Sequence, residues 1–285
     1  MNIVIASGKG GTGKTTVAVN LALTASLSKS ASGGVALVDC DVEEPNCNIF
    51  LKAKLESVRE VTKPIPVFDM DKCTRCGKCA EFCRFHAIAV VGKQHLFFGD
   101  LCHGCGGCKM VCPKSAIVET GKRLGVIERG ASEGVTLLQG TLDVGQPTGV
   151  PIIRELKKMA DPTGLTILDA PPGTSCPVVE TLRGADRCIL VTEQTPFGLG
   201  DLKIAIAVVR GLKIPFGVVI NRDGLGDGSV EAYCATEGIP ILARIPNDRR
   251  IATLYSNGKT LVGDLPEIAK VFESLLFAVI GEGAL

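Results

Sequence analysis

No run of lysine and arginine long enough to track a nucleic-acid backbone occurs in the chain. The formal net charge is only +1, so nucleic acid is not an expected partner. Also missing is any uninterrupted apolar stretch near the ~20 residues that a membrane span needs. The first residues run straight into an apolar segment, without the charged and apolar regions of an export leader, so a cytoplasmic location without membrane insertion is expected. Residues 271–280 have amphipathic spacing, but the tail at 281–285 contains no Lys or Arg to meet anionic lipid. The segment therefore reads as a terminal helix that packs on the core. Without an export signal, 13 cysteines do not read as a disulfide framework, and reduced thiols that bind metal are the expected alternative.

What is present begins with a glycine loop. Residues 2–6 are a short apolar run of strand composition, and residues 17–25 have helical length and spacing. Between them, Gly8, Gly13, Lys14 and Thr15 fit G-x4-G-K-[ST] in the strand, loop, helix context that a P-loop requires. Gly8, Gly10, Gly11, Thr12, Gly13 and Thr16 would let backbone N–H groups curl around a polyphosphate at the positive end of a helix. Lys14 would reach the outer phosphates and Thr15 would ligate Mg2+. The length allows one large or two modest domains.

Residues 35–39 read as a second buried strand, followed by acidic residues at 41–44. Apolar periodicity then fails between 52 and 66, marking the edge of an insertion. Eight cysteines follow in two runs of one spacing, Cys73, Cys76, Cys79, Cys83 and Cys102, Cys105, Cys108, Cys112, offset by 29 positions. An offset that also carries Ile88 onto Ile117 is an internal duplication, and two related halves are expected. The C-x2-C-x2-C-x3-C spacing is that of the bacterial two-cluster ferredoxin, whereas zinc, the competing reading, favours paired cysteines with a longer gap.

Residues 121–151 are rich in glycine and β-branched side chains and read as a strand or hairpin returning to the main domain. Residues 152–160 read as a basic amphipathic helix. Residues 165–169 form a third apolar strand that ends in Asp169, where a P-loop protein places the acid near its Mg2+. Gly173 would leave a backbone N–H free for a terminal phosphate. Strands at 187–192, 216–220 and 240–245 alternate with helices at about 200–210 and 229–237 and from 266 onward. The fold class is therefore α/β, a doubly wound, mostly parallel P-loop NTPase sheet with a small inserted α+β ferredoxin domain. The expected domains are residues 1–60 and 123–285 for the nucleotide fold and 61–122 for the insertion. The ligand is expected along the carboxyl ends of the strands, near Gly8 to Thr15, Asp41, Asp169 and Asn221.

The insertion resembles the 2x(4Fe-4S) ferredoxin domain, which implies crossed ligation. One cluster would be held by Cys73, Cys76, Cys79 and Cys112, the other by Cys102, Cys105, Cys108 and Cys83. Arg84 stands where that family usually has proline, while Pro113 is present. The whole chain resembles the MinD, ParA, Mrp and nitrogenase iron protein group of ATPases. The resemblance rests on KGGTGKTT at 9–16, DCD at 39–41, DAPPGT at 169–174, TEQTPF at 192–197 and IPND at 245–248.

That group implies ATP and Mg2+ as ligands beside the two 4Fe-4S clusters, and a homodimer with nucleotide at its interface. Lys9 would reach across to the partner's nucleotide, Asp41 would orient the attacking water, and Asp169 would meet the metal through water. Asn221 would read adenine, and Asp248 would contact base or ribose. Asp39 either begins the first switch or caps the turn after its strand. Cys176, beside the second switch, resembles the position of a subunit-bridging ligand in the iron protein. Cys40, Cys47, Cys188 and Cys234 read as small apolar fillers, and His86, His95 and His103 as surface or packing residues.

The leading functional expectation is a partner-stimulated ATPase that couples a dimeric nucleotide switch to electron transfer through its clusters toward a redox partner protein. An iron-sulfur carrier resembling Mrp is the alternative. A positioning ATPase and an ATP-dependent amide ligase are less expected, because the chain has neither the basic membrane tail and surface run of the first nor the glutaminase-like segment and nucleophile elbow of the second.

Overall fold

The structure, a computed structural model, describes residues 1–28, 33–92, 94–161 and 163–281, so the lysine-free tail beyond Gly281 lies outside it. β1 (Asn2–Ala6) carries Ile3, Val4 and Ile5 fully out of solvent, as a β-branched run in the middle of a parallel sheet must. α1 (Lys14–Leu27) follows the glycine loop. It is apolar on most of its surface because the sheet covers one side and the C-terminal helix the other. β2 (Val35–Asp39) is fully buried, and the short α2 (Cys47–Leu51) leads into the 13-residue β3 (Glu56–Phe68).

The cysteine-rich segment adds α3 (Lys78–Phe82), β4 (Ile88–Val91), β5 (Gln94–Phe97) and α4 (Gly107–Met110), and returns through the 16-residue β6 (Ile117–Ser132). β6 turns directly into β7 (Val135–Leu142) through Glu133 and Gly134, both at positive φ (51° and 75°), the signature of a tight two-residue hairpin. Then come α5 (Val150–Met159), β8 (Leu165–Asp169), α6 (Cys176–Leu182), β9 (Arg187–Glu193) and α7 (Pro196–Gly211). α7 begins earlier than its apolar spacing predicts, because Thr195 accepts the Gly198 N–H and Pro196 fits the first turn. The chain closes with β10 (Phe216–Asp223), α8 (Ser229–Thr236), β11 (Ile241–Pro246), α9 (Arg249–Ser256), α10 (Leu261–Asp264) and α11 (Pro266–Ile280). α11 buries Ile268, Phe272, Leu275, Leu276 and Val279, so the core-packing reading of the terminal helix describes it.

Among the described residues, nine strands form one sheet in the order β11-β10-β9-β1-β8-β2-β7-β6-β3. The first seven in that order run parallel, while β6 and β3 pair antiparallel at one edge. β1 sits between β8 and β9, so the crossovers diverge there and open a crevice at its carboxyl end. β11, at the opposite edge, has only Ile245 fully covered. Apolar side chains cover both faces of the sheet, one layer built on α1 and α11, the other on α5, α6 and α7.

The expected insertion boundaries at 60 and 122 fall inside β3 and β6, which pair from Glu56↔Arg129 to Phe68↔Ile117. Val61 belongs to the main core, whereas Phe68 packs in a separate small cluster with Ile88, Cys108 and Ile117. The cysteine-rich segment is thus the outer end of a ribbon whose inner end is the edge of the main sheet.

Candidate nucleotide site and paired cysteine sites

At the carboxyl edge of the sheet, the glycine loop is held by two close approaches. A side chain on Gly8 would meet the Asp201 carbonyl at 2.1 Å, and one on Gly13 (φ 95°) would meet Asn221 Nδ2 at 2.3 Å. Asn221, at the end of β10, donates from Nδ2 to the Thr12 carbonyl at 2.8 Å, so it braces the loop from beneath. Lys14 is buried, and loss of solvent lowers its pKa while Asp169 and Asp41 pull it back up.

Asp39, wholly buried, accepts the N–H groups of Asp41 (3.1 Å), Asn46 (2.9 Å) and Cys47 (2.9 Å). It therefore caps the turn that carries Asp41, the second of the two roles open to it. Burial raises its pKa, and those donors pull the other way. Asp41 lies two residues beyond the strand, in the turn and partly open to the cleft. Burial together with the Asp39 charge lifts its carboxyl to about 6. Asp169, at the end of β8, accepts the Thr15 hydroxyl at 2.6 Å and lies 3.6 Å from Cys47 Sγ. Burial and the neighbouring Asp39 charge lift it to about 7.

A cleft of about 470 Å3 gathers Gly10, Gly11, Gly13, Lys14, Thr15, Thr16, Asp41, Asn221 and Asp248. Gly8, Lys9, Thr12, Asp169 and Gly173 support it from outside its lining. The Gly173 N–H is not free as expected: it donates to the Ser7 carbonyl at 3.2 Å. Lys9 leans along its own chain, its Nζ 3.8 Å from Glu193. Asp248 lines the cleft, but its carboxylate accepts the Arg250 N–H at 2.7 Å and pairs with that guanidinium, capping α9. Sequence reasoning missed the far wall, formed by Ile251, Ala252 and Tyr255 of α9. The signal was there, since 251 and 255 are one turn apart and present one helix face.

The cleft fits a phosphate chain with a divalent cation. Its glycine loop leads into a 14-residue helix, and Lys14 provides a cation. Asp169 Oδ1 is buried with no partner among the described residues, an orphan that a metal-bound water would satisfy.

The eight cysteines of the outer ribbon fall into two groups. Cys73, Cys76, Cys79 and Cys112 line one cavity with Phe68 and His95, and Cys83, Cys102, Cys105 and Cys108 line another with Phe82 and Pro66. The two halves repeat each other in backbone detail. Arg75 and Gly104, Gly77 and Gly106, and His86 and Ser115 all have positive φ at the 29-residue offset. Ala87 N–H points at Cys83 Sγ (3.4 Å), as Ala116 N–H points at Cys112 Sγ (3.3 Å). The halves also cross, because Asp69 N–H donates to the Ala116 carbonyl and Phe98 N–H to the Ala87 carbonyl, each at 2.8 Å. All eight thiols are free, and the grouping places each run's fourth cysteine with the other run's first three. Four convergent thiols, amides aimed at sulfur and an apolar lining fit a cubane cluster. His95 Nε2 lies 3.6 Å from Cys79 Sγ, and its ring packs on Phe68. Cys40, Cys47, Cys188 and Cys234 are buried, while Cys176 is exposed.

A family model described as the CobQ/CobB/MinD/ParA nucleotide binding domain matches residues 3–262. The chain belongs to this nucleotide-binding family. An uncharacterized protein of Methanocaldococcus jannaschii is 33% identical over 265 residues, covering 92% of this chain and 91% of that protein. An iron-sulfur cluster carrier protein of Pyrococcus abyssi is 25% identical, covering 95% and 82%. The septum site-determining protein MinD of Pyrococcus horikoshii, solved with Mg-ADP, matches with a TM-score of 0.62 at 21% identity over 98% of this chain and 95% of that one. That likeness is one of fold. No helix among the described residues is long and apolar enough to cross a membrane.

Proposed function

We propose that this protein binds and hydrolyses ATP with Mg2+, and that the nucleotide state controls electron transfer through two 4Fe-4S clusters held by the outer ribbon. The observation that carries the reading is the continuity of β3 and β6, which join an edge of the nucleotide-site sheet to both cysteine cavities. Lys14 would neutralise the outer phosphates, Thr15 and Asp169 would hold Mg2+, and Asp41, with its raised pKa, would orient the attacking water and receive its proton. The metal would stabilise charge on the phosphates, and the clusters would supply one-electron chemistry.

Both segments that flank the terminal phosphate have a route to the ribbon. Asp39 holds the start of α2, and β3 begins five residues after α2 ends. On the other side, α6 follows the 169–174 loop. Lys157 of α5 donates to the carbonyls of Glu180 and Thr181, and Glu155 of α5 pairs with Arg59 of β3 at 2.9 Å. A shift at either segment therefore has a packed path outward. Lys9 would leave Glu193 and cross to the nucleotide of a second copy, making the ATP-bound form a homodimer; Glu193 would keep its pairing with Arg222.

Anaerobic redox titration and sedimentation velocity with ATP, ADP and no nucleotide test the proposal. A change of cluster potential or oligomeric state with ATP supports it, and identical curves in all three overturn it. A second reading, an iron-sulfur carrier, draws on the Pyrococcus abyssi relative. Transfer of cluster iron to an apo-acceptor would favour that reading, and retention through ATP turnover would favour electron transfer.

A further inference from the structure

Lys14 and Lys63 are the two buried lysines among the described residues. The charge of Lys14 belongs to the phosphate site, whereas Lys63 has no role in the nucleotide cleft. It lies on β3, 1% exposed, and its Nζ donates to the Cys102 carbonyl at 2.7 Å. Cys102 lines the cavity shared by Cys83, Cys105 and Cys108. The nearby acid, Asp100, is exposed and bonded to Lys122, and no ion pair of Lys63 exists among the described residues. A buried ammonium with a carbonyl as its acceptor lacks a counter-charge, and the adjoining cavity is where one would sit.

The duplicated half has no equivalent. Twenty-nine positions on from Lys63 stands Gly92, in the turn between β4 and β5. The other cations, Arg84 in the lining of this cavity and Arg75, Lys78 and Lys114 in the lining of its twin, are all exposed, where water and salt screen them. The two sites thus share ligand geometry and differ in fixed charge.

We propose that Lys63 is a positioning residue that holds the Cys102 turn and makes the Cys83, Cys102, Cys105, Cys108 centre the easier of the two to reduce. The inference rests on the two-cluster reading. A four-thiolate cubane is anionic and gains one further negative charge on one-electron reduction, which an unscreened ammonium favours. Electrons delivered to the ribbon would therefore collect at this centre, beside the exposed Phe82 and Phe85, rather than at its twin.

The test is an anaerobic dithionite titration of the full chain, reconstituted with iron and sulfide and followed by electron paramagnetic resonance. K63M should lower the reduction equilibrium constant of one centre at least tenfold, ~59 mV for a one-electron couple. The other centre should stay within twofold. The shifted signal should be the one altered by C105S and untouched by C76S, and K63R should restore it. Loss of iron from that centre in K63M but not in K63R also supports a requirement for the charge. Two unmoved signals, equal shifts of both, or iron loss in both variants overturn the role of Lys63 alone. Absence of both clusters from the reconstituted wild type overturns the two-cluster reading and this role with it.

Discussion

The Thr15 hydroxyl donates to Asp169 Oδ2 at 2.6 Å, tying the helix after the glycine loop to the end of β8 across 154 residues of sequence. Both groups are the proposed Mg2+ ligands, one directly and one through water, so the metal would replace a bond that already holds them in register. Thr15→Ala should therefore weaken ATP binding at least tenfold with Mg2+ present, about the loss of one charge-assisted contact. The change with EDTA should be small. Calorimetric titration in both buffers checks this, and equal losses in the two would remove Thr15 from the metal site.

The raised carboxyl of Asp169 makes stability fall with pH in the nucleotide-free, metal-free protein. Its folded value of about 7 exceeds the ~3.9 of an unfolded aspartate, so between those values the native state keeps a proton that the unfolded chain has released. The contribution is fully present below the unfolded value and is lost as pH rises through the folded one. Wild type should lose stability relative to Asp169→Asn by up to ~1.4 kcal/mol per pH unit in that window. Urea midpoints at pH 5, 6, 7 and 8 measure the slope, and a constant difference would contradict it.

Asp39 is the anchor of the turn that carries Asp41 because three backbone N–H groups converge on its carboxylate. Asp39→Ala strands those donors and should cost about 3 kcal/mol or more, at ~1–3 kcal/mol for each buried group left unpaired. Asp39→Asn, which keeps an acceptor oxygen, should lose less. Denaturation midpoints rank the two, and a neutral alanine variant would show that the turn holds itself.

Among the described residues the Lys9 ammonium has one ion pair, a long one at 3.8 Å to Glu193, and Lys9 lies outside the cleft lining. Lys9→Ala should leave ATP affinity within about threefold, as expected for a half-exposed pair of small energetic value. The same variant should abolish ATP-dependent dimers in sedimentation velocity. Normal dimers would place the neutralising charge elsewhere.

The crossed cysteine grouping predicts which variants act alike. Cys112→Ser should perturb the same resonance as Cys79→Ser, and Cys83→Ser the same one as Cys108→Ser, because those pairs share cavities. Uncrossed behaviour, with Cys112 joining Cys108, would disprove the grouping.

The local residue pattern alone determined a great deal. Glycine spacing between an apolar strand and a helix specifies the phosphate loop. A strand ending in aspartate specifies Asp169, and a duplicated cysteine spacing specifies two related halves, since each of these signals is carried by neighbours in the chain. The crossing was implied by the ferredoxin resemblance alone, and the folded chain is what puts Cys112 with the first run and Cys83 with the second. Contacts between residues far apart in sequence had to come from the folded chain. Asn221 binds a loop carbonyl 209 positions away, Gly173 gives its N–H to Ser7, and α9 supplies the far wall of the cleft. The same holds for the ribbon. In sequence the cysteine segment reads as an insertion with ends near 60 and 122, because apolar periodicity fails there. Pairing of β3 with β6 carries the main sheet straight through both ends. Lys63 is the sharpest case, a charged residue in an irregular polar stretch, which composition assigns to the surface. Only the folding of β3 against the Cys102 turn removes it from water and gives its charge a target.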